Sequence, residues 1–415
     1  MAGVMFRSVR HLRQKIRLAS SFGKNPAKCA NFQKRHLATA KTTLGEWRVA
    51  DEYFEISDGD ALMQFDYVWL RDNCRSAACY NSKTSQRIID TASIDLKIRP
   101  AETKVTDGHL FLTWPDGHVT SYSLSWLADH SHQAKTQAVV QPRVLWNRDT
   151  YSAAQVQSAP WEKFMSCEEE LRRFVQNFLL YGIAFVDGVP ASVAATEAVS
   201  ERVSIIRETL YGRMWSFTSD LSRGDTAYTT QELDRHTDTT YLHEPCGVQV
   251  FHCLKHEGTG GRTLLVDGFH SAQKVLEKAP ESFELLSRVP ISHENIEAIS
   301  THRNHMVGVG PVLNVYPWNH EVYMIRYNNY DRAPIDTVPQ DAVGRWYRAH
   351  RVLTTELRKP ENELWLKLTP GKVVFIDNWR VLHGRDSFTG LRQVCGCYLP
   401  RDDLLSTARA LGLRA

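Results

Sequence analysis

Apolar and polar positions follow two different periods along this chain. Leu171, Phe174, Val175, Phe178 and Leu179 fall three and four residues apart, which places them on one face of a helix. Ser166-Cys167-Glu168-Glu169 in front of them has capping-box spacing. Gly182 behind them supplies a stop. Ile183-Ala184-Phe185-Val186 is then continuous and apolar, as a buried strand would be. A second helix is expected after Pro190, with Val199, Val203, Ile206 and Leu210 on one face. Beyond it the apolar runs become short and turn-bounded. Strands are expected over 247–254, 263–266, 312–316, 322–327, 372–376 and 394–399. Helices are expected to interrupt them near 271–287 and 341–357, the second with Val343, Trp346, His350, Leu353 and Leu357 at helical spacing.

The N-terminal part reads differently. Tyr67-Val68-Trp69-Leu70 and His109-Leu110-Phe111-Leu112-Thr113-Trp114 are short apolar runs of a small β-rich unit. Pro115-Asp116-Gly117-His118 is a turn signal before Val119-Thr120-Ser121-Tyr122, so a hairpin is expected there. Residues 131–165 are polar, contain Pro142 and Pro160, and read as a linker. The expected organisation is a small β-rich domain over 43–130, this linker, and a catalytic-sized domain over 166–415. The latter is mainly β with flanking helices, a sandwich or barrel such as a jelly roll.

Length and charge refine this picture. At 415 residues, two or three domains are expected. Residues 1–45 carry ten basic residues and no acidic one, whereas the whole chain has 50 basic and 47 acidic. The net charge of +3 therefore belongs to that segment, and the remainder is acidic. Val4, Phe6, Val9, Leu12, Ile16 and Leu18 scatter apolar residues among its arginines. A basic, amphipathic, acid-free segment has the composition of a mitochondrial transit peptide, here expected over 1–42 and implying the matrix. The other reading is a basic arm for nucleic acid or membrane. No basic stretch downstream continues such a surface, so neither partner is expected. The longest apolar run, Phe178 to Val186, is far shorter than a membrane span and contains Gly182. The eight cysteines lack a secreted framework spacing and fit a reducing compartment. Cys395 and Cys397 share one strand face and read as packing residues.

The candidate chemistry centres on Leu233-Asp234-Arg235-His236-Thr237-Asp238. On an extended segment His236 and Asp238 project from one face. With the distant His383 they make up two histidines and a carboxylate, the facial triad of non-haem Fe(II) oxygenases. Alone, a His-x-Asp pair is also an ordinary polar loop. Cys74, Cys79 and His118 are three donors for a zinc site, which needs a fourth, or else packing residues.

Taken in order, Trp69-Leu70-Arg71-Asp72, Trp114-Pro115-Asp116-Gly117-His118, Asp225-Thr226-Ala227-Tyr228, His236-Thr237-Asp238-Thr239-Thr240-Tyr241, Gly260-Gly261-Arg262-Thr263, Val266-Asp267-Gly268-Phe269 and Asp377-Asn378-Trp379-Arg380, with His383 and Arg392, resemble the taurine-dioxygenase-type 2-oxoglutarate oxygenases. The likeness runs from about Trp47 to the C-terminus and is strongest to the carnitine-biosynthesis branch. It implies a double-stranded β-helix that binds Fe(II), 2-oxoglutarate and O2, with L-ascorbate keeping the iron ferrous. It also implies a homodimer and a small-molecule substrate, N6,N6,N6-trimethyllysine, hydroxylated at C3 in the first step of carnitine synthesis. His236, Asp238 and His383 are then the iron ligands. Arg392 clamps the far carboxylate of 2-oxoglutarate, helped by the Thr263 hydroxyl. Arginine's planar fork suits that task better than lysine.

A trimethylammonium group offers no N–H, so aromatic faces must read it. Tyr211, Trp215, Tyr228 and Tyr398 match the cage positions of the γ-butyrobetaine enzyme of the same branch. Asn328 and Asn329 resemble the segment that holds the substrate carboxylate there. Asp225 stands where that enzyme has asparagine, and it is the candidate acceptor for the α-ammonium that γ-butyrobetaine lacks. The branch also carries zinc on three cysteines and a histidine; Ser76 replaces one of those cysteines here. The alternatives are γ-butyrobetaine hydroxylation, a zinc hydrolase, and a non-catalytic module that reads methyl-lysine.

Overall fold

The computed structural model describes residues 46–58, 61–132, 142–218, 229–299 and 302–415. The expected targeting segment, Asp225 and Tyr228 lie outside the described residues. The chain divides into two compact units, Met1–Ala134 and Lys135–Ala415.

In the first unit, β1 (Trp47–Val49), β2 (Tyr53–Asp58) and β3 (Ala61–Asp66) form one antiparallel sheet. β4 (Tyr80–Asn81) pairs with β5 (Gln86–Arg87), and β6 (Glu102–Thr106), β7 (His109–Thr113) and β8 (Val119–Ser123) form a second three-stranded sheet. The expected hairpin is the β7–β8 pair, and the Trp114 indole N–H closes its turn on Thr120 Oγ1 at 2.7 Å. Tyr67-Val68-Trp69-Leu70 is not a strand: it lies in the helix Tyr67–Asp72. Tyr67 and Leu70, three apart, are its two buried residues, and they join Phe54, Phe65, Leu110 and Trp114 in the core.

The second unit is a jelly roll. Its strands are β9 (Ala159–Pro160), β10 (Ile183–Asp187), β11 (Trp215–Phe217), β12 (Leu233–His236), β13 (Val248–Glu257), β14 (Thr263–Asp267), β15 (Ile291–Ile299), β16 (His302–Gly310), β17 (Leu313–Val315), β18 (Val322–Ile325), β19 (Leu364–Leu366), β20 (Lys372–Asp377), β21 (Val381–Arg385) and β22 (Leu391–Leu399). A six-stranded sheet runs β11-β22-β13-β20-β10-β9, and a four-stranded sheet runs β12-β21-β14-β19. β15–β16 and β17–β18 are separate two-stranded pairs.

Period-two alternation sorts the side chains of each sheet. On β13, Val248 and Val250 face a helical layer, while Gln249 and Phe251 line an interior cleft. Cys395 and Cys397 also face the helices, where they reach Thr196 and Ser200. On the smaller sheet Leu264, Val266 and Leu382 meet the helices Gly268–Lys278, Pro280–Arg288 and Gln340–Leu357. Leu265 and Val381 point the other way and pack with Cys253, Val374 and Ile376 of the larger sheet.

The helix Glu168–Tyr181 buries all five of its expected face residues and ends on Gly182 at φ 72°. Its capping box does not form. Ser166 closes the preceding helix Trp161–Ser166 by donating to the Glu162 carbonyl, and Cys167 at the N-cap makes no side-chain bond. Three glutamates in the first turn favour that helix end instead. The stretch expected as a linker holds the helices Arg148–Ala153 and Trp161–Ser166. The helix after Pro190 is Val193–Val203, capped by Ser192, and Ser204 turns extended before Ile206 and Leu210. The region 271–287 is two helices, because Pro280 supplies no N–H to continue the first.

Candidate active site

β12 and β21 pair antiparallel with His236 directly opposite His383, so their rings stand 4.5 Å apart. The strand ends at His236. Asp238 lies beyond it, where Thr239 at φ 58° turns the chain. The carboxylate nevertheless converges on both imidazoles: Asp238 Oδ1 is 3.3 Å from His236 Nε2, and Oδ2 is 3.7 Å from His383 Nε2. The three donor groups lie within 4.8 Å of one another. His236 Nδ1 is 2.7 Å from the Asp234 carbonyl oxygen. A carbonyl only accepts, so Nδ1 carries a proton, and this bond fixes the ring with Nε2 toward the shared point.

Burial pushes the Asp238 carboxyl up, yet the neighbouring His383 and the hydrogen bond with His236 hold it down at about 2. Burial draws His383 down to about 4 and keeps its imidazole neutral. Burial acts the same way on His236, but the bond and charge of Asp238 leave it above the ordinary histidine value. The Tyr398 hydroxyl, raised by burial and by Asp238, stays protonated and donates to Asp238 Oδ2 at 3.1 Å.

Backbone supports hold the motif in place. Asn378 accepts from the Asp238 N–H at 2.7 Å, and its Nδ2 donates to the Asp238 and Cys246 carbonyls at 3.0 and 2.8 Å. Thr239 Oγ1 accepts from the Cys246 N–H at 2.8 Å. The buried Arg326 guanidinium donates to the carbonyls of Thr240, Leu242 and His243, which pins the loop that carries Tyr241.

The three donors open onto a cleft. Of the described residues expected at the site, all but Asn329 line it: Tyr211, Trp215, His236, Asp238, Thr263, Asn328, His383, Arg392 and Tyr398. Arg392 is 8% exposed, and among the described residues its guanidinium has no hydrogen-bond or ion-pair partner. Its plane stands over Phe388. A buried guanidinium without an acid is unfavourable unless an anion joins it. Gly260 and Gly261, at φ 74° and 69°, lead the chain into Thr263. A Cβ on Gly260 would meet the Ser387 carbonyl oxygen at 2.1 Å, so only glycine permits that approach.

At the other end the aromatics gather. Tyr398 lies 6.5 Å from Tyr211 and 6.3 Å from Trp215, and the Tyr211 and Tyr241 hydroxyls are 3.2 Å apart. Phe251 stands edge-on to Trp215 and to His383. Sequence reasoning missed Tyr241 and Phe251. It also missed Gln249, which is fully buried with neither amide atom partnered among the described residues. One polar residue in the apolar run Val248 to Phe251 was the available signal. Asn329 is exposed and donates to Tyr327 Oη at 3.3 Å.

In the first unit, Cys74 Sγ, Ser76 Oγ and Cys79 Sγ lie 3.2, 3.3 and 3.5 Å from His118 Nε2. Burial raises the Cys74 thiol, but bonds to His118, Ser76 and Thr120 bring it down to about 6. Arg71 donates to Cys79 Sγ at 3.3 Å. Two thiols, an imidazole and a hydroxyl depart from the closed four-donor set of a structural zinc site, which draws on Cys and His. Cys74, Cys79 and His118 offer three donor atoms within 4.8 Å of one another, with the Ser76 hydroxyl in place of a fourth Cys or His.

Two family models match the chain. Taurine catabolism dioxygenase TauD, TfdA family covers residues 148–398, and the N-terminal domain of gamma-butyrobetaine hydroxylase-like proteins covers residues 46–128. Mitochondrial trimethyllysine dioxygenase of Mus musculus is 65% identical over 91% of this chain and 90% of its own length. The Gallus gallus protein of the same name is 61% identical over 98% and 96%. Gamma-butyrobetaine dioxygenase of Pongo abelii is 28% identical over 87% and 97%.

Proposed function

The chain belongs to the TauD, TfdA family of dioxygenases, and from that premise we propose that it hydroxylates N6,N6,N6-trimethyllysine at C3, the first step of carnitine synthesis. The observation that carries the reading is one cleft holding two histidines with a carboxylate between them, a buried guanidinium with no partner among the described residues, and a cluster of aromatic faces. High identity to proteins named for trimethyllysine, against low identity to one named for γ-butyrobetaine, favours the longer substrate.

His236, Asp238 and His383 fit a divalent iron, since two imidazole nitrogens and one ionised carboxylate converge with the cleft open beside them. When bound, that metal supplies the redox chemistry by which O2 and 2-oxoglutarate give succinate, CO2 and one hydroxyl at C3. The chain's own residues bind, orient and shield. Arg392, with Thr263 beside it, receives the far carboxylate of 2-oxoglutarate. Tyr211, Trp215 and Tyr398, with Tyr228, give the trimethylammonium group faces in place of hydrogen bonds. Asn328 and Asp225 serve the amino-acid end. Tyr398 bridges the two tasks, because its ring belongs to the aromatic cluster and its hydroxyl holds Asp238.

Relatives named mitochondrial support a mitochondrial location, and in this reading the basic segment 1–42 is a targeting segment for the matrix. Ascorbate serves as reductant and the active form is a homodimer. The test is succinate release by the iron-reconstituted protein, with trimethyllysine and γ-butyrobetaine compared directly. Trimethyllysine is expected to be turned over preferentially, and His236→Ala and Asp238→Ala are each expected to abolish both succinate formation and hydroxylation. Preference for γ-butyrobetaine, or full activity in either variant, overturns the reading.

A further inference from the structure

Among the described residues that line the cleft there are two carboxylates, Asp238 and Asp331. Asp238 serves the metal. Asp331 is half-buried and follows Asn328 by three residues. The Asn328 side chain is occupied within the chain. Its Nδ2 donates to Asp331 Oδ2 at 2.7 Å and to the Thr237 carbonyl at 3.5 Å. Its Oδ1 accepts from the Tyr330 and Asp331 N–H groups at 2.9 and 3.4 Å. Asn328 thus ties the Asp331 carboxylate to Thr237, the residue between His236 and Asp238. Thr240 Oγ1 adds a 3.4 Å bond to the same carboxylate oxygen. Tyr330 fastens the segment further: its hydroxyl accepts from the Asp234 N–H at 2.8 Å, and its ring meets His236 edge-on at 6.0 Å.

The substrate's chemistry asks for an anion in this place. C3 of trimethyllysine is bonded to the carbon that bears the ammonium and the carboxylate. An enzyme that oxidises C3 must therefore seat the α-ammonium beside the metal donors, with the trimethylammonium end directed away. A carboxylate is the side chain that takes a primary ammonium by charge-assisted hydrogen bonds. Arg392 and Arg385, the cationic residues lining the cleft, are unsuited to it.

We propose that Asp331, held by Asn328, takes the α-ammonium of the substrate and so selects an α-amino acid over a desamino trimethylammonium acid. This rests on the trimethyllysine reading given above. Asp225, reached from sequence alone, is the rival for the same ammonium.

The experiment uses the full chain, loaded with iron and 2-oxoglutarate, and compares trimethyllysine with 6-(trimethylammonio)hexanoate, its desamino analogue. The wild type is expected to prefer trimethyllysine in kcat/KM. Asp331→Asn is expected to lose about 10- to 100-fold on trimethyllysine, mostly through KM, with little change on the analogue. Asp331→Glu keeps the charge and retains the direction of the preference. Equal losses on both substrates, as a merely structural role would give, overturn the assignment. So does a wild type without preference, which is read even if the asparagine variant fails to fold. Loss of the preference in Asp225→Asn but not in Asp331→Asn gives the ammonium to Asp225 and overturns the proposal. A wild type that leaves trimethyllysine unoxidised overturns the functional reading itself, and the assignment with it.

Discussion

Asn378 grips the Asp238 peptide from both sides, accepting from its N–H at 2.7 Å and donating to its carbonyl at 3.0 Å. Asp238 lies past the last paired residue of its strand, so no ladder orients its backbone. A buried amide from another part of the fold does what a neighbouring strand would otherwise do. Replacing Asn378 by alanine is expected to weaken iron binding by about 10- to 100-fold, the usual cost of removing support behind a ligand. Titration of the apo protein with ferrous iron, followed by tryptophan fluorescence, measures this. Unchanged affinity would show that Asp238 needs no such hold.

Arg392 is expected to answer to the cosubstrate alone. Arg392→Met should raise KM for 2-oxoglutarate by at least about 100-fold, since a buried carboxylate would lose its charged partner. Arg392→Lys should recover only part of that, because an ammonium cannot offer the two parallel N–H groups of the fork. A KM for trimethyllysine that rises while the KM for 2-oxoglutarate stays fixed would assign Arg392 to the substrate instead.

Asp267 and Arg380 form a buried knot at the C-terminal end of β14. Arg380 Nε and Nη2 reach the Asp267 carboxylate at 3.1 and 2.9 Å, and that carboxylate also accepts from the Phe269 and Trp146 N–H groups. Arg380 Nη1 caps the Leu180 carbonyl. Asp267→Asn leaves a buried guanidinium without its charge partner and is expected to cost about 3–5 kcal/mol. Urea unfolding of the apo protein gives the value. A loss below about 1 kcal/mol would mean that the backbone carbonyls suffice for Arg380.

His252 is locked in its neutral form. Its Nε2 accepts from the Gly371 N–H at 3.2 Å, so Nδ1 carries the proton and donates to Thr196 Oγ1 at 2.8 Å. Burial lowers its pKa to about 4. In the unfolded chain the imidazole titrates near the ordinary value, so between about pH 6.5 and 4 the unfolded state binds more protons. Stability from this residue is complete above that window and is lost as pH falls through it, by up to about 1.4 kcal/mol per pH unit. His252→Gln is expected to flatten the dependence of urea stability on pH between 7 and 4.5. An unaltered slope would place the titration elsewhere.

The chain disclosed its helices and its apolar strands because their patterns report burial. Five apolar residues from Leu171 to Leu179 share one helical face, and all five are buried. β21 stayed hidden for the opposite reason. Its inward positions are Val381, His383 and Arg385, two of them polar because they face the cleft. The strand that carries a candidate metal donor is thus the one whose hydrophobic alternation is erased by the cleft it faces. Tyr67 to Leu70 misled because four apolar residues carry no readable period. In the site, residue types with distinctive chemistry were legible and supports were not. Asn378 acts on backbone groups far away in sequence, and Asp331 gains its meaning only when Asn328 and Thr240 are seen beside it.

The pairing of His236 with His383 also makes this centre a long-range product of the fold. His236 and Asp238 are near neighbours in sequence, whereas His383 and Arg392 reach the cleft on β21 and β22, after every other strand of the described residues. A chain that has not paired β12 with β21 presents His236 and Asp238 without the other two. The candidate centre is therefore a readout of completed folding, and a chain cut before β21 carries half of it at most.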